Sequence, residues 1–273
     1  MRFHGAVLGS PIEHSLSPKI HNFAYQRLGF DGDFSKVEVQ AGELQKFLEN
    51  QDSFQGFALT APLKEELVSI APGFGIQLDP MVIEIGSANT LYRKSENFHC
   101  TSTDLSAMIR LFKQIIFNEK ITIIGAGGTA RAILGALSNL NLHQLNEIQI
   151  VNRTENKVDR LKQDFPTLPI IFQSFTGGNY GRMKFNTLPI SALLELEISE
   201  DSVFHISETD FIFNALYAKP ERLDNPLIEQ LFDRAAITGQ DLLIEQALDQ
   251  ISIFTGLEFD YETLRQELKQ LLS

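Results

Sequence analysis

Cysteine is almost absent from this chain of 273 residues: Cys100 is the only one. An internal disulfide and a zinc site built on cysteine pairs are therefore excluded, and a reducing compartment is the expectation. Cys100 itself reads as a small buried hydrophobe rather than a nucleophile. Positive charge is also in short supply. Lys and Arg number 23 against 35 Asp and Glu, for a net charge of -12, and no basic cluster interrupts the acidity. A nucleic-acid partner needs a basic face, so that class is excluded. An anionic ligand would have to be held by local dipoles and a few placed cations, against the overall field. Long hydrophobic runs are missing too. None approaches the ~20 residues that span a bilayer, and Met1-Arg2-Phe3-His4-Gly5 does not open a signal-peptide core. A cytoplasmic protein with no membrane partner is expected. There is no Gly-x-Ser-x-Gly elbow to support a hydrolase and no His-Glu-x-x-His spacing, so no metal is expected.

What is present is a switching periodicity that marks an α/β fold, with enough apolar residues for one large or two modest cores. Strands are expected over 4–9, 34–39 and 54–60, then near 85–92 and 97–101. Helices are expected over 17–28, 42–50 and 62–70. Asp104 opens a helix on which Leu105, Met108, Ile109, Leu111, Phe112 and Ile115 share an apolar face. A second α/β unit follows. Its strands fall at 121–124 and 148–151, then near 169–172, 203–206 and 210–214, completing a parallel sheet; a helix spans 128–139. Residues 176–181 read as loop and 191–198 as a short helix. Helices over 240–255 and from Asp260 onward close the chain, and these two can pack back on the first domain. The reading is a two-domain α/β protein: residues 1–103 with 240–273, and residues 104–239.

Three segments carry chemistry. Gly9-Ser10-Pro11-Ile12-Glu13-His14-Ser15-Leu16-Ser17-Pro18 runs from a strand into a helix. Ser17 reads as the N-cap and Pro18 as the first helical residue. Ser15 and Ser17 thus place two hydroxyls at a helix N-terminus, suited to a small anionic ligand; an ordinary capped helix is the alternative. Lys120 to Ile133 contains Gly125-Ala126-Gly127-Gly128-Thr129-Ala130, a Gly-x-Gly-x-x-Ala turn between strand and helix. Gly125 makes the turn, Gly127 lets backbone approach a pyrophosphate, and the helix end supplies N–H donors. The next strand ends in Asn152-Arg153-Thr154, with Lys157 one turn on. An acid at that tip would bind the ribose of NAD. A guanidinium, an ammonium, an amide and a hydroxyl suit the extra phosphate of NADP instead.

The third segment, Gly56 to Lys64, brings Lys64 into the first turn of a helix behind Pro62. The macrodipole disfavours an ammonium there, a setting that eases proton exchange, although Glu65 and Glu66 oppose the effect. Taken singly, Lys64 also reads as an exposed helix charge and Asp104 as an N-cap. Asn89 can be a turn amide and Gln246 an exposed helix residue.

Taken together, the segments resemble the shikimate dehydrogenase family along nearly the whole chain. Gly9–Asn22 resembles its first substrate motif and Gly56–Lys64 its lysine motif. Gly86–Thr90 and Thr101–Asp104 resemble its two Asn-Thr motifs. Gly125–Arg131 with Asn152-Arg153-Thr154 resembles its NADP segment, and Gly239–Gly256 its closing helix. The resemblance implies NADP-linked interconversion of 3-dehydroshikimate and shikimate, in the biosynthesis of chorismate and aromatic amino acids. It implies a substrate domain (1–103 with 240–273), a Rossmann-type NADP domain (104–239), and a monomer or homodimer. Lys64 and Asp104 become the catalytic dyad. Ser15, Ser17, Thr60, Lys64, Asn89, Asp104, Tyr217 and Gln246 become substrate contacts. Gly125, Ala126, Gly127, Gly128, Thr129, Ala130, Asn152, Arg153, Thr154, Lys157, Ala215 and Gly239 become cofactor contacts. Four places depart from the family pattern: Ala58 and Ser102 stand where Asn is usual, Asn214 opens a segment usually led by Asp, and Asn186–Pro189 is atypical. A paralogue acting on quinate, or a non-catalytic NADP-binding sensor, are the alternatives.

Overall fold

A computed structural model describes every residue except 1, 52, 141, 143, 218, 220–222 and 224. The chain forms two compact units, residues 1–107 with 243–273, and residues 108–242. In the first, β1 (Phe3–Gly9), α1 (Ser17–Arg27), β2 (Gly32–Glu38), α2 (Leu44–Leu48), β3 (Gly56–Leu59) and α3 (Leu63–Phe74) follow in turn. Then come β4 (Gln77–Leu78), α4 (Pro80–Ile85), β5 (Thr90–Lys94) and β6 (Asn97–Thr101). The sheet order is β2-β1-β3-β5-β6-β4. β1 runs parallel to β2 and β3, whereas β5 is antiparallel to both of its neighbours.

Strand alternation divides the core of this unit. Ala6, Leu8, Phe57 and Leu59 face Leu44 of α2, Leu63 and Leu67 of α3, and Val82 of α4. Val7 and Ala58 face Tyr25 and Phe254 on the other side. Ile20 and Ala24 of α1 pack with Ile244, Leu248 and Ile251 of α10 (Gly239–Thr255) and Leu264 and Leu268 of α11 (Tyr261–Leu272). Asp260 caps α11, accepting from the backbone N–H groups of Glu262 and Thr263.

The second unit contains β7 (Lys120–Ile124), α6 (Gly128–Asn139), β8 (Glu147–Val151), α7 (Glu155–Asp164), β9 (Ile170–Gln173), β10 (Met183–Asn186), α8 (Ile190–Leu194), β11 (Phe211–Asn214), α9 (Pro226–Asp233) and β12 (Ile237–Thr238). Every pairing is parallel and the order is β12-β11-β10-β7-β8-β9. Numbered within the unit, that is 3-2-1-4-5-6, the doubly wound dinucleotide-binding order, whose reversal lies between β7 and β10. Among the described residues no helix is long and apolar enough to cross a membrane.

Several local expectations are corrected. Residues 85–89 are not strand. Asp79 accepts from the Met81 N–H, Pro80 starts α4, and Gly86 ends it at φ 63°, so the strand begins only at Thr90. Residues 203–206 form a turn, with His205 N–H donating to Ser202 O, and the side chains of Val203, Phe204 and Ile206 pack into the core of the second unit. The strand beside β7 is instead Met183-Lys184-Phe185-Asn186. Its lysine disguises it: buried Lys184 is paired with Asp210 at 3.0 Å and donates to His205 O. The short helix expected over 191–198 covers only Ile190–Leu194.

Candidate active site

β1 and β3 are neighbouring parallel strands, and their carboxyl ends lead into α1 and α3. Such ends are where open α/β sheets bind ligands. The two exit loops lie against each other: Ser10 N–H donates to Ala61 O, and Thr60 N–H to Leu8 O. A side chain on Gly9 would meet the Thr60 methyl at 2.3 Å, so only glycine lets the loops approach this closely. Ser17 is not the N-cap of α1. It is the first helical residue, behind Leu16, and its backbone N–H donates to Ser15 Oγ at 3.4 Å. Ser15 thus serves a free helix donor that Ser17, already helical, cannot reach.

Pro62 precedes α3 and Lys64 is its second residue. Lys64 is not an exposed helix charge. Its side chain is only 15% exposed and its Nζ lies 2.6 Å from Asp104 Oδ2, whose side chain is 6% exposed. Asp104 is likewise not the cap of α5 (Thr103–Phe112). It sits in the first turn, while Ser102 Oγ accepts from the Leu105 N–H at 3.4 Å. The position favours a carboxylate, because the dipole of α5 presents its positive end there.

Three amides complete the cluster, and obligatory backbone partners fix the orientation of each. Asn89 Oδ1 accepts from the Thr103 N–H at 2.7 Å. Asn89 Nδ2 therefore faces Asp104 Oδ1 at 3.0 Å, Thr103 Oγ1 at 2.9 Å and Gln246 Oε1 at 3.1 Å. Gln246 Nε2 donates to Leu243 O, which turns Oε1 toward Asn89. Gln250 Nε2 donates to Asn89 O and Thr90 Oγ1. One Asp104 oxygen is thus held by Asn89 and the other by Lys64. A buried carboxylate needs this satisfaction from both sides. Asn89 and Gln246 are buried, neither a free turn amide nor an exposed helix residue. Thr90, Thr103 and Gln250 belong to the cluster too. Thr90 and Thr103 lie within the two segments that resemble the family's Asn-Thr motifs, whereas nothing in the sequence singled out Gln250. Ser15, Ser17 and Thr60 stand at the sheet's carboxyl edge, with no hydrogen bond described to the Lys64–Asp104 pair.

In the second unit the glycine turn lies at the strand-order reversal. Gly125 has φ 108°, a conformation open to glycine and strained for other residues. A Cβ there would meet Thr187 Oγ1 at 2.5 Å; Thr187 donates through both N–H and Oγ1 to Ile124 O. Gly127 is the N-cap of α6 and is exposed. Ala126, Gly128 and Thr129 are half-buried, and Ala130 is buried. Asn152 donates to Thr154 O, across the tip of β8. Exposed Arg153 pairs with Glu195 at 3.0 Å; Thr154 stands at the N-cap position of α7 with no side-chain capping bond, and Lys157 is exposed in its first turn. A Cβ on Gly239 would come within 2.4–2.6 Å of the backbone of Ala215, Leu216 and Tyr217, so these residues form one tightly packed corner. Nearby, Asn214 Nδ2 is buried with no hydrogen-bond partner. The open glycine turn, the exposed cations and this spare donor fit a dinucleotide carrying an additional phosphate. Among the described residues no group of three or more His, Cys, Asp or Glu could hold a metal ion.

Two family sequence models match the chain. That of the shikimate dehydrogenase substrate binding domain covers residues 7–91, and that of shikimate / quinate 5-dehydrogenase covers residues 110–178. A shikimate dehydrogenase (NADP(+)) of Prochlorococcus marinus is 25% identical, over 98% of this chain and 97% of its own length. Among solved structures, shikimate dehydrogenase of Aquifex aeolicus has a TM-score of 0.77 at 24% identity, over 98% of both chains. Shikimate 5-dehydrogenase of Thermus thermophilus, in complex with NADP(H) and shikimate, has a TM-score of 0.73 at 23% identity, over 98% of this chain and 99% of that one. Both halves of the family pattern thus occur in order on one chain whose two sheets have the fold of these enzymes, and the chain belongs to the shikimate dehydrogenase family.

Proposed function

We propose that this protein is an NADP-dependent oxidoreductase that interconverts 3-dehydroshikimate and shikimate, a step in chorismate and aromatic amino acid biosynthesis. The observation that carries this reading is the buried Lys64–Asp104 pair at 2.6 Å. When bound, NADPH would supply the hydride for reduction, and NADP would take it up in the reverse direction. Hydride transfer leaves alkoxide character on the substrate oxygen, which takes a proton from the Lys64 ammonium; in the reverse direction the Lys64 amine left behind takes the hydroxyl proton as the hydride departs. Asp104 holds the ammonium in place and accepts a substrate hydroxyl. Ser15 and Ser17 bind the substrate carboxylate, where hydroxyls and helix donors favour an anion. Thr60, Asn89, Tyr217 and Gln246 complete the substrate contacts. Residues 1–107 with 243–273 then form the substrate domain, and 108–242 the NADP domain.

The backbone at Gly125, Ala126, Gly127, Gly128, Thr129 and Ala130 would hold the pyrophosphate at the N-terminus of α6. Ala215 and Gly239 would line the nicotinamide side. Asn152, Arg153, Thr154 and Lys157 would take the 2′-phosphate, with Arg153 exchanging Glu195 for it. The test is NADPH absorbance with 3-dehydroshikimate, and NADP reduction with shikimate and with quinate, repeated with NAD. Turnover with shikimate and NADP as the preferred pair is expected. Preference for quinate would assign the paralogue activity, and tight NADPH binding without turnover would assign a sensor.

A further inference from the structure

His21 and Gln250 take no part in the chemistry derived so far, yet both are fully buried polar side chains. They form a hydrogen-bond chain whose direction can be read. Asn89 O can only accept, so the Gln250 atom facing it at 3.3 Å is the amide nitrogen. Gln250 Oε1 is then the acceptor facing His21 Nε2 at 3.2 Å. His21 therefore carries its proton on Nε2, and Nδ1 accepts from the Tyr25 hydroxyl at 3.4 Å. Burial lowers the His21 pKa to about 3, so the ring is neutral and one tautomer suffices. The imidazole also stacks on Phe34, with ring centroids 4.0 Å apart at 13°. That leaves it little freedom to turn.

From Gln250 the chain runs on. Its amide donates to Thr90 Oγ1 at 3.0 Å, the Thr90 hydroxyl lies 3.2 Å from Asn89 Oδ1 and 3.1 Å from Thr103 Oγ1, and Asn89 Nδ2 donates to Asp104 Oδ1. The donors from Tyr25 to Asn89 therefore run toward the one carboxylate. In a buried chain each such bond polarises the next. We propose that Gln250, anchored by His21, is a positioning residue for the Lys64–Asp104 pair. It fixes the Asn89 main chain and the Thr90 hydroxyl, and through them the Asn89 amide that orients Asp104. The inference rests on the reading of Lys64 and Asp104 as the proton-transfer pair.

Gln250→Met keeps the length of the side chain and removes both ends of the link. In the full-length enzyme, well below its melting temperature, kcat for 3-dehydroshikimate reduction is expected to fall on the order of tenfold. KM for 3-dehydroshikimate and Kd for NADPH are expected to stay within about threefold. A kcat within about twofold of the parent, whatever happens to Tm, would overturn the proposal. A second arm combines the substitution with Asn89→Ala. There it is expected to lower kcat less than about twofold, because the group it acts through is gone. An undiminished loss in that background would mean a general effect on packing and would equally overturn it. Should Gln250→Met not fold, Gln250→Glu keeps the acceptor for His21 and removes the donor to Asn89 O, and is read the same way. Asp104→Asn separates the two levels. Near-parental kcat there means that the pair itself is misassigned. A collapse there with Gln250→Met unaffected rejects only the positioning role.

Discussion

The two halves of the chain's proposed machinery, one in each unit, are built in opposite ways. The nucleotide half, Gly125 to Ala130, is a run of neighbouring residues whose backbone does the work. It is defined by one positive φ, a helix N-terminus and room for close approach. The Lys64–Asp104 half is made of side chains from distant positions. Its ion pair joins residues 40 apart, and Asn89 reaches Gln246 across 157. It is also the drier of the two: Lys64 is 15% exposed, whereas Arg153 is 53% exposed. A backbone cradle tolerates water, because it offers many donors to one charged ligand. A proton-transfer pair needs defined orientation, and burial with every polar atom satisfied supplies it.

Substitution in each half sharpens that contrast. Lys64→Ala removes the proton donor, and kcat is expected to fall by about 10²- to 10⁴-fold with Kd for NADPH unchanged in a fluorescence titration. Loss of NADPH binding in this variant would break the separation of the halves. Arg153→Ala deletes a charge-assisted contact and should weaken NADPH by roughly 10- to 100-fold, leaving NADH binding as it was. An equal loss for both cofactors would remove the phosphate assignment. Gly125→Ala forces a Cβ into the left-handed region and against Thr187. It should weaken both NADPH and NADH, by about tenfold, without altering shikimate binding measured calorimetrically in the absence of nucleotide.

The remaining effect concerns the stability of the drier half and not its turnover. His21 has a pKa of about 3 in the folded protein because burial penalises its charged form, against ~6.5 when unfolded. Between those values the unfolded chain binds a proton that the folded one does not. Stability conferred by neutral His21 is thus complete above ~6.5 and declines as pH falls toward 3. Urea midpoints at neutral and mildly acidic pH should differ accordingly, and His21→Gln should flatten the dependence. An unchanged slope in that variant would show that other groups govern acid sensitivity. Cys100 lies in a different core of the same unit, where burial pushes its thiol up to about 12, in keeping with an inert small hydrophobe.

How much could be read from the sequence follows the same division. The glycine turn, its strand and its helix were legible because their physics is local: a tight turn, a helix start and a basic strand tip within some thirty residues. So was the start of the last helix at Asp260. β10 was not, because a central strand containing lysine reads as surface until Asp210 is known to lie beside it. The apolar run 203–206 misled for the converse reason, since hydrophobicity reports burial and not backbone conformation. Ser17, Lys64 and Asp104 each had an ordinary local reading, and the pairing of Lys64 with Asp104 could be inferred only by resemblance.

The sequence by itself determined an α/β chain with two sheets and a glycine turn at a helix N-terminus, since these depend on periodicity, glycine conformation and helix ends. Only the tertiary structure decided which polar residues left water together. The orientation of Asn89, Gln246 and Gln250, the 2.6 Å contact of Lys64 with Asp104 and the tautomer of His21 all depend on partners far away in the chain. A buried hydrogen bond takes its direction and its strength from the atoms around it, and those are known only once the chain has folded.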